Sequence, residues 1–354
     1  LADLLRTYEQ KTGKTEVEVF AELKGLLETD SAVFEDVNAG HALLFRYLEA
    51  CAHQISGRTI SISVDVLIAD LRAKAGWLIA HLREQEWITL DGKEGWFNSY
   101  YDNHGQAVEG RFCGNVRMML TGQVFAIMSG VATDEQVKQI TESADHYLYK
   151  KEIGGYRLNT DFHELKFDMG RMFGFAYGEK ENGAVFSHMS VMYANALYKR
   201  GFAKEGHKSL QALADVAMDF ETSRIYPGIP EYFRADGRGM YHYLTGAASW
   251  YMMTMITEVF GVRGKAGDLM ICPKLLASQF DEKGMATIAC AFAGKNLVVT
   301  FENRTGKDFG EYRIVSAHAG KTSLTICDGT YALLERQALL ALKDHTVAIT
   351  VVLE

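Results

Sequence analysis

Only three prolines, Pro227, Pro230 and Pro273, occur in 354 residues, against 33 glycines. Proline removes a backbone donor and breaks a helix interior, whereas glycine closes helices in the left-handed conformation. A chain with this ratio is free to form long, uninterrupted helices joined by glycine turns. The apolar spacing agrees. Leu4, Leu5 and Tyr8, followed by Val19, Phe20, Leu23, Leu26 and Leu27, read as helical over 1–30. Leu43, Leu44, Tyr47, Leu48 and Cys51 repeat the pattern over 40–55, and Val66, Leu67, Leu71, Trp77, Leu78 and Leu82 over 64–86. Further helices are predicted at 119–130, 133–148, 188–201, 205–219 and 246–260. Hairpin after hairpin is the pattern of an α-helical toroid.

The character changes near Gly264. Short runs rich in β-branched residues, bounded by Gly, Asn, Asp and Lys, predict strands at 269–272, 286–292, 297–301, 312–315, 323–326 and 346–353. We therefore expect a mainly α chain. Residues 1–264 are expected to form a helical domain and 265–354 an antiparallel β-sandwich module. Hydrophobic residues at 48% and charged residues at 23% suit a packed globular core. The net charge of −8 argues against a nucleic-acid partner, which would call for a basic stripe. Five cysteines, Cys51, Cys113, Cys272, Cys290 and Cys327, show no metal-ligand spacing and read as reduced thiols of a cytoplasmic protein. No signal peptide and no membrane-length apolar run is present. The first residue is Leu1, inside what reads as mid-helix, so we expect a natural N-terminal part to precede it.

The candidate chemistry centres on residues 180–188, Lys-Glu-Asn-Gly-Ala-Val-Phe-Ser-His. A carboxylate, an amide and an imidazole share a turn that opens into a helix. Residues 244–250, Leu-Thr-Gly-Ala-Ala-Ser-Trp, repeat the device at a second apolar helix. A phosphate dianion needs directional donors and positive potential, which helix N-termini supply. His188 offers a ring N–H, Thr245 a hydroxyl and Gly246 an unobstructed backbone N–H. Glu181 and Asn182 suit sugar hydroxyls. The plainer reading is a capped helix with a satisfied core histidine, and an ordinary N-cap at Thr245. Aromatic residues in glycine-rich loops, among them Trp96, Phe97, Tyr100, Tyr101, Tyr232, Phe233, Tyr241 and Trp250, fit the apolar faces of sugars or the packed inner wall of a barrel. No GxSxG, P-loop or HExxH motif occurs.

Residues 96–102, 123–130, 181–188, 244–250 and 260–263, in this order and spacing over about 65–275, resemble the inverting glycoside phosphorylases of the cellobiose phosphorylase type. The likeness is greatest to the larger relatives acting on β-glucans. The resemblance implies an (α/α)6 barrel, partial in this chain, followed by a β-sandwich-like module. It implies that His188, Thr245 and Gly246 bind the attacking phosphate, that Glu181 holds sugar hydroxyls, and that Gln123 lies close to the same pocket. The implied partners are a β-linked gluco-oligosaccharide and inorganic phosphate as co-substrate, with no further cofactor and no metal. Family members are often homodimers. An Asp protonates the glycosidic oxygen while phosphate attacks the anomeric carbon from the opposite face. An inverting hydrolase instead needs a second carboxylate to activate water. This chain departs from the pattern, because the Trp-Asn-Asp type motif carrying that Asp does not occur. Asp36 is the nearest look-alike and lacks the Trp. The acid, and the family's phosphate-binding arginine, are expected upstream of Leu1. Two alternatives remain: a hydrolase using Glu231 or Asp161 as second carboxylate, and a non-catalytic carbohydrate-binding scaffold.

Overall fold

A computed structural model describes residues 1–225, 228–241 and 246–354, and its backbone divides into two compact units, 1–87 and 88–354. The first unit holds helices Ala2–Thr12, Val37–Cys51 and Val64–Gln85. It also holds a two-stranded antiparallel sheet, Glu16–Phe20 with Thr59–Ser63, registered from Glu16 opposite Ser63 to Phe20 opposite Thr59. The uniform helix expected over 1–30 is thus corrected. Gly13, at φ 68°, ends the first helix, and Glu-Val-Glu-Val-Phe alternates with period two, which suits a half-buried strand. Asp36 also acquires a definite role. Its carboxylate caps the Val37–Cys51 helix, accepting the N–H of Asn38 at 2.8 Å and of Ala39 at 3.3 Å.

The second unit is built around the helix Ser187–Lys199, nine of whose thirteen residues are buried. It packs against helices Leu120–Ser129, Ala203–Met218 and Gly246–Thr254. Small residues let the helices approach: a Cβ on Gly206 would lie 2.6 Å from the Tyr198 ring. Helix Asp134–Tyr147 opens with a reciprocal cap between Thr133 and Gln136. The Gly246–Thr254 helix widens at its end into a π-turn, Met255–Val259.

From Val262 onward the chain is mostly strand. One sheet runs in the order Val262–Lys265, Asp268–Ile271, Tyr331–Leu334, Thr325–Cys327. The other runs Met285–Phe292, Lys295–Asn303, Thr346–Leu353, Ile314–Ala319, Thr322–Ser323. Purely antiparallel pairing was expected. The structure instead sets Lys295–Asn303 parallel to Thr346–Leu353, from Asn296 opposite Thr346 to Asn303 opposite Leu353. These strands are joined by a long crossover rather than a hairpin, and a crossover delivers the returning strand in the same direction. The two sheets share one core. Ile271, Ala332 and Leu334 from the first and Leu297, Val299, Phe301 and Val351 from the second belong to a single apolar cluster. Val191, Ala194, Tyr198, Leu210 and Leu213 of the helices belong to the same cluster, so apolar packing runs on from helices to sheets.

Candidate functional site

A small three-stranded sheet places the His188 helix. Val185–Phe186 pairs with Tyr232–Phe233, which pairs with Gly239–Met240, and Phe186 stacks on Tyr232. The Ser187 N–H then donates to the Glu231 carbonyl at 2.9 Å, and the helix begins. His188 is its second residue, within the turn whose N–H groups lack intrahelical acceptors.

The ring of His188 meets the start of the Gly246–Thr254 helix. A Cβ built on Gly246 would lie 3.0 Å from His188 Cε1 and 3.2 Å from Nδ1. A side chain there would press the His188 ring aside by a few tenths of an ångström. Trp250, one turn further, flanks the same ring at 5.7 Å between centroids. His188 Nε2 is buried and has no hydrogen-bond partner among the described residues. Burial moves the imidazole below its ordinary pKa, so the neutral form predominates at neutral pH. The His188 ring, on the first turn of one helix, thus lies beside the start of a second, and both helix N-termini bear partial positive charge. The structure brings His188 and Gly246 together; Thr245, and Leu244 beside it, lie outside the described residues.

The loop before this helix is a locked turn. Asn182 donates Nδ2 to the Phe175 carbonyl at 2.9 Å, and its Oδ1 accepts from Asn159 Nδ2 at 3.2 Å. Asn159 Oδ1 in turn accepts the Gly183 N–H at 2.8 Å. Gly183 sits at φ 74°, and a Cβ there would enter the Tyr177 ring at 2.2 Å. The Asn182 amide is thus committed to holding the loop. Glu181 is presented differently. Its Oε1 lies 3.3 Å from Arg171 Nη2, while its Oε2 is buried with no hydrogen-bond partner among the described residues. It lines a cavity of about 230 Å³ with Tyr100, Thr121, Leu158, Arg171 and Met172.

Gln123 is fully buried beneath this region. Its Oε1 accepts the Phe97 N–H at 2.9 Å, and its Nε2 donates to the carbonyls of Phe97 at 2.8 Å and Met119 at 3.0 Å. With its amide so engaged, it holds the Glu94–Phe97 strand and Met119 in place. The aromatic residues divide. Trp96, Phe97, Tyr232 and Phe233 are buried packing, whereas Tyr100, Tyr101 and Tyr241 are exposed. Glu231 lies 3.8 Å from Lys180 Nζ, and Asp161 accepts the His163 N–H at 2.9 Å.

Arg171, Thr121, Met172 and Glu109 escaped the sequence reading. Arg171 and Met172 stand in Gly170-Arg-Met-Phe-Gly174, whose glycine brackets were the available signal; no pattern marked Thr121 or Glu109. Glu109 is buried, accepts the Ser99 N–H at 2.8 Å and the Met119 N–H at 2.7 Å, and is bonded to the Ser99 hydroxyl. It staples the two segments that carry Tyr100 and Met119 into the cavity wall. Among the described residues, no group of three or more His, Cys, Asp or Glu side chains could hold a metal ion, and no helix is long and apolar enough to cross a membrane.

Residues 71–261 match the catalytic domain of the glycosyl hydrolase 94 superfamily. A cellobionic acid phosphorylase of Neurospora crassa is 28% identical over 177 residues, covering 46% of this chain and 22% of the relative. A solabiose phosphorylase of Paenibacillus borealis is 24% identical over 243 residues, covering 66% and 31%. An N,N'-diacetylchitobiose phosphorylase of Vibrio proteolyticus is 26% identical over 206 residues, covering 55% and 26%. The chain thus spans between 22% and 31% of the length of these relatives.

Proposed function

The chain belongs to the glycosyl hydrolase 94 superfamily, and we propose that its protein is an inverting phosphorylase cleaving a β-glucoside or β-linked gluco-oligosaccharide to α-glucose 1-phosphate. The observation that carries this reading is the buried Nε2 of His188, without a hydrogen-bond partner among the described residues, close to Gly246 at the start of a second helix. A neutral imidazole and free backbone N–H groups can bind inorganic phosphate without a metal. Phosphate oxygen bonds to the anomeric carbon, the glycosidic C–O bond breaks, and the departing oxygen takes a proton from an acid. We do not assign that acid to Asp36, which is occupied as a helix cap. Phosphate is already a nucleophile, so the cradle replaces the base that a hydrolase needs.

Glu181 is the sugar ligand in this reading. Its buried oxygen has no donor among the described residues and lies at the edge of a cavity walled by Tyr100 and Met172. Gln123 and Asn182 support the site by fixing the segments around it. We read the helices of 88–260 as part of an (α/α)6 barrel and the two sheets after it as its sandwich-like C-terminal module. Glu231 faces Lys180, and Asp161 serves the turn at His163, so this reading assigns neither as a second carboxylate.

The direct test incubates the intact protein with cello- or laminari-oligosaccharides and phosphate. α-Glucose 1-phosphate should appear in proportion to phosphate. Release of free glucose alone, whatever the phosphate level, would overturn the reading. Within the cradle, Gly246→Ala should force the His188 ring aside. Overpacking of this kind costs about 1–3 kcal/mol. Its phosphate KM should rise several-fold while the sugar KM stays near the parent's; equal changes in both would remove Gly246 from the phosphate site.

A further inference from the structure

Two helix starts that hold one anion must be kept at a fixed separation. Gly246, Trp250 and Thr254 form an i, i+4, i+8 row along one face of their helix. The His188 ring touches the first two. Asn195, seven residues or about two turns after His188, donates Nδ2 to Thr254 Oγ1 at 3.1 Å. Asn195 is 5% exposed and Thr254 fully buried. The helices therefore meet at two levels, roughly 10–12 Å apart along their axes. Both levels advance in the same chain direction, so the N-termini lie at the same end.

An apolar pair would fill that second level as well as a polar one. A directional bond instead fixes the sliding register of one helix on the other, as single buried polar residues do in coiled coils. The far end of the Gly246 helix is held separately. After Thr254 comes the π-turn Met255–Val259, in which Glu258 is buried between Lys274 Nζ at 2.8 Å and Arg263 Nη1 at 3.0 Å. The Lys274 N–H donates to the Val259 carbonyl at 2.8 Å. The far end is thus tied to Arg263 and Lys274, and the Asn195–Thr254 bond ties the helix to the His188 helix.

We propose that Asn195 and Thr254 are positioning residues that set the gap between His188 and Gly246, and through it the fit of inorganic phosphate; the functional half of this inference rests on the phosphorylase reading above. Thr254→Val keeps the shape and removes the acceptor, whereas Thr254→Ser keeps the acceptor. In the intact protein, Thr254→Val should raise the phosphate KM about tenfold, with the sugar KM unchanged and Thr254→Ser within about twofold of the parent. The Cε1–H resonance of His188, read in histidine-labelled protein, should move in Thr254→Val and stay in Thr254→Ser. A folded Thr254→Val with unchanged phosphate KM, or with both KM values shifted alike, overturns the proposal. If Thr254→Val does not fold, Thr254→Cys, with a weaker acceptor of similar size, must show the same split. If the parent forms no sugar phosphate, the phosphorylase reading has failed. The His188 resonance then judges the positioning alone, and an unmoved resonance in Thr254→Val sinks it.

Discussion

His188→Ala should raise the phosphate concentration for half-maximal phosphorolysis by roughly 10- to 100-fold, the range expected when a hydrogen bond to a charged ligand is lost. The sugar KM should change far less, because the cavity bearing Glu181 is lined by Tyr100, Thr121, Leu158, Arg171 and Met172, not by His188. His188→Gln keeps a neutral donor and should lose less. The pH dependence follows from burial, which lowers the imidazole pKa in the folded chain. The unfolded chain, with histidine near 6.5, takes up a proton first as pH falls. Stability is therefore lost below about pH 6.5, and His188→Gln should blunt that loss. His207, whose pKa burial also lowers, makes a separate contribution of the same sign. A phosphate KM unchanged in His188→Ala would remove the residue from the site.

The helices were legible because their apolar periodicity is strong. The predicted segments at 119–130, 133–148, 188–201 and 205–219 correspond within a few residues to Leu120–Ser129, Asp134–Tyr147, Ser187–Lys199 and Ala203–Met218. Residues 1–30 misled because Val19, Phe20 and Leu23 also satisfy a helical count, while Gly13 and the alternation at Glu16–Phe20 carried the true signal. The parallel strand pair was invisible, since alternation reports which face a residue takes and says nothing of its partner's direction. In the candidate site, residue types that carry an obvious role could be read in place: His188 at a helix start, Gly246 at another, and Glu181 in a glycine turn. The resemblance placed Gln123 close to the pocket, and Asn182 was read for sugar hydroxyls; in the structure Gln123 bonds the backbone of Phe97 and Met119, and Asn182 bonds the Phe175 carbonyl and the Asn159 side chain. Arg171 and Glu109 escaped because each acts across the fold, Arg171 on Glu181 ten residues on, and Glu109 between Ser99 and Met119.

Glu109→Gln should destabilise the protein most at low pH, with the deficit shrinking as pH rises. Each carboxyl oxygen of Glu109 accepts one backbone N–H, from Ser99 and from Met119. An amide can satisfy only one of them, and its NH2 then opposes the other donor. Leaving a buried N–H unpaired costs about 1–3 kcal/mol. In the parent, burial pushes the carboxyl up from 4.5 to about 8, even though the donors from Ser99 and Met119 pull it down. Below pH 4.5 both folded and unfolded chains hold the proton, and this source of instability is absent. Between 4.5 and about 8 the unfolded chain ionises while the folded one stays neutral, so parent stability falls as pH rises. The full span corresponds to roughly 5 kcal/mol, an order-of-magnitude ceiling. Glu109→Gln has no such titration. Urea unfolding of parent and variant at pH 5, 6.5 and 8 should therefore show the two midpoints converging and then crossing, because the parent's loss over this span exceeds the variant's fixed deficit. A gap that stays constant would mean that the buried carboxyl is as readily ionised in the fold as outside it. The variant should also loosen the wall bearing Tyr100 and Met119, raising the sugar KM and leaving the phosphate KM alone. That is the reverse of the pattern expected for His188→Ala, so the two substitutions together separate the sugar side of the site from its phosphate side.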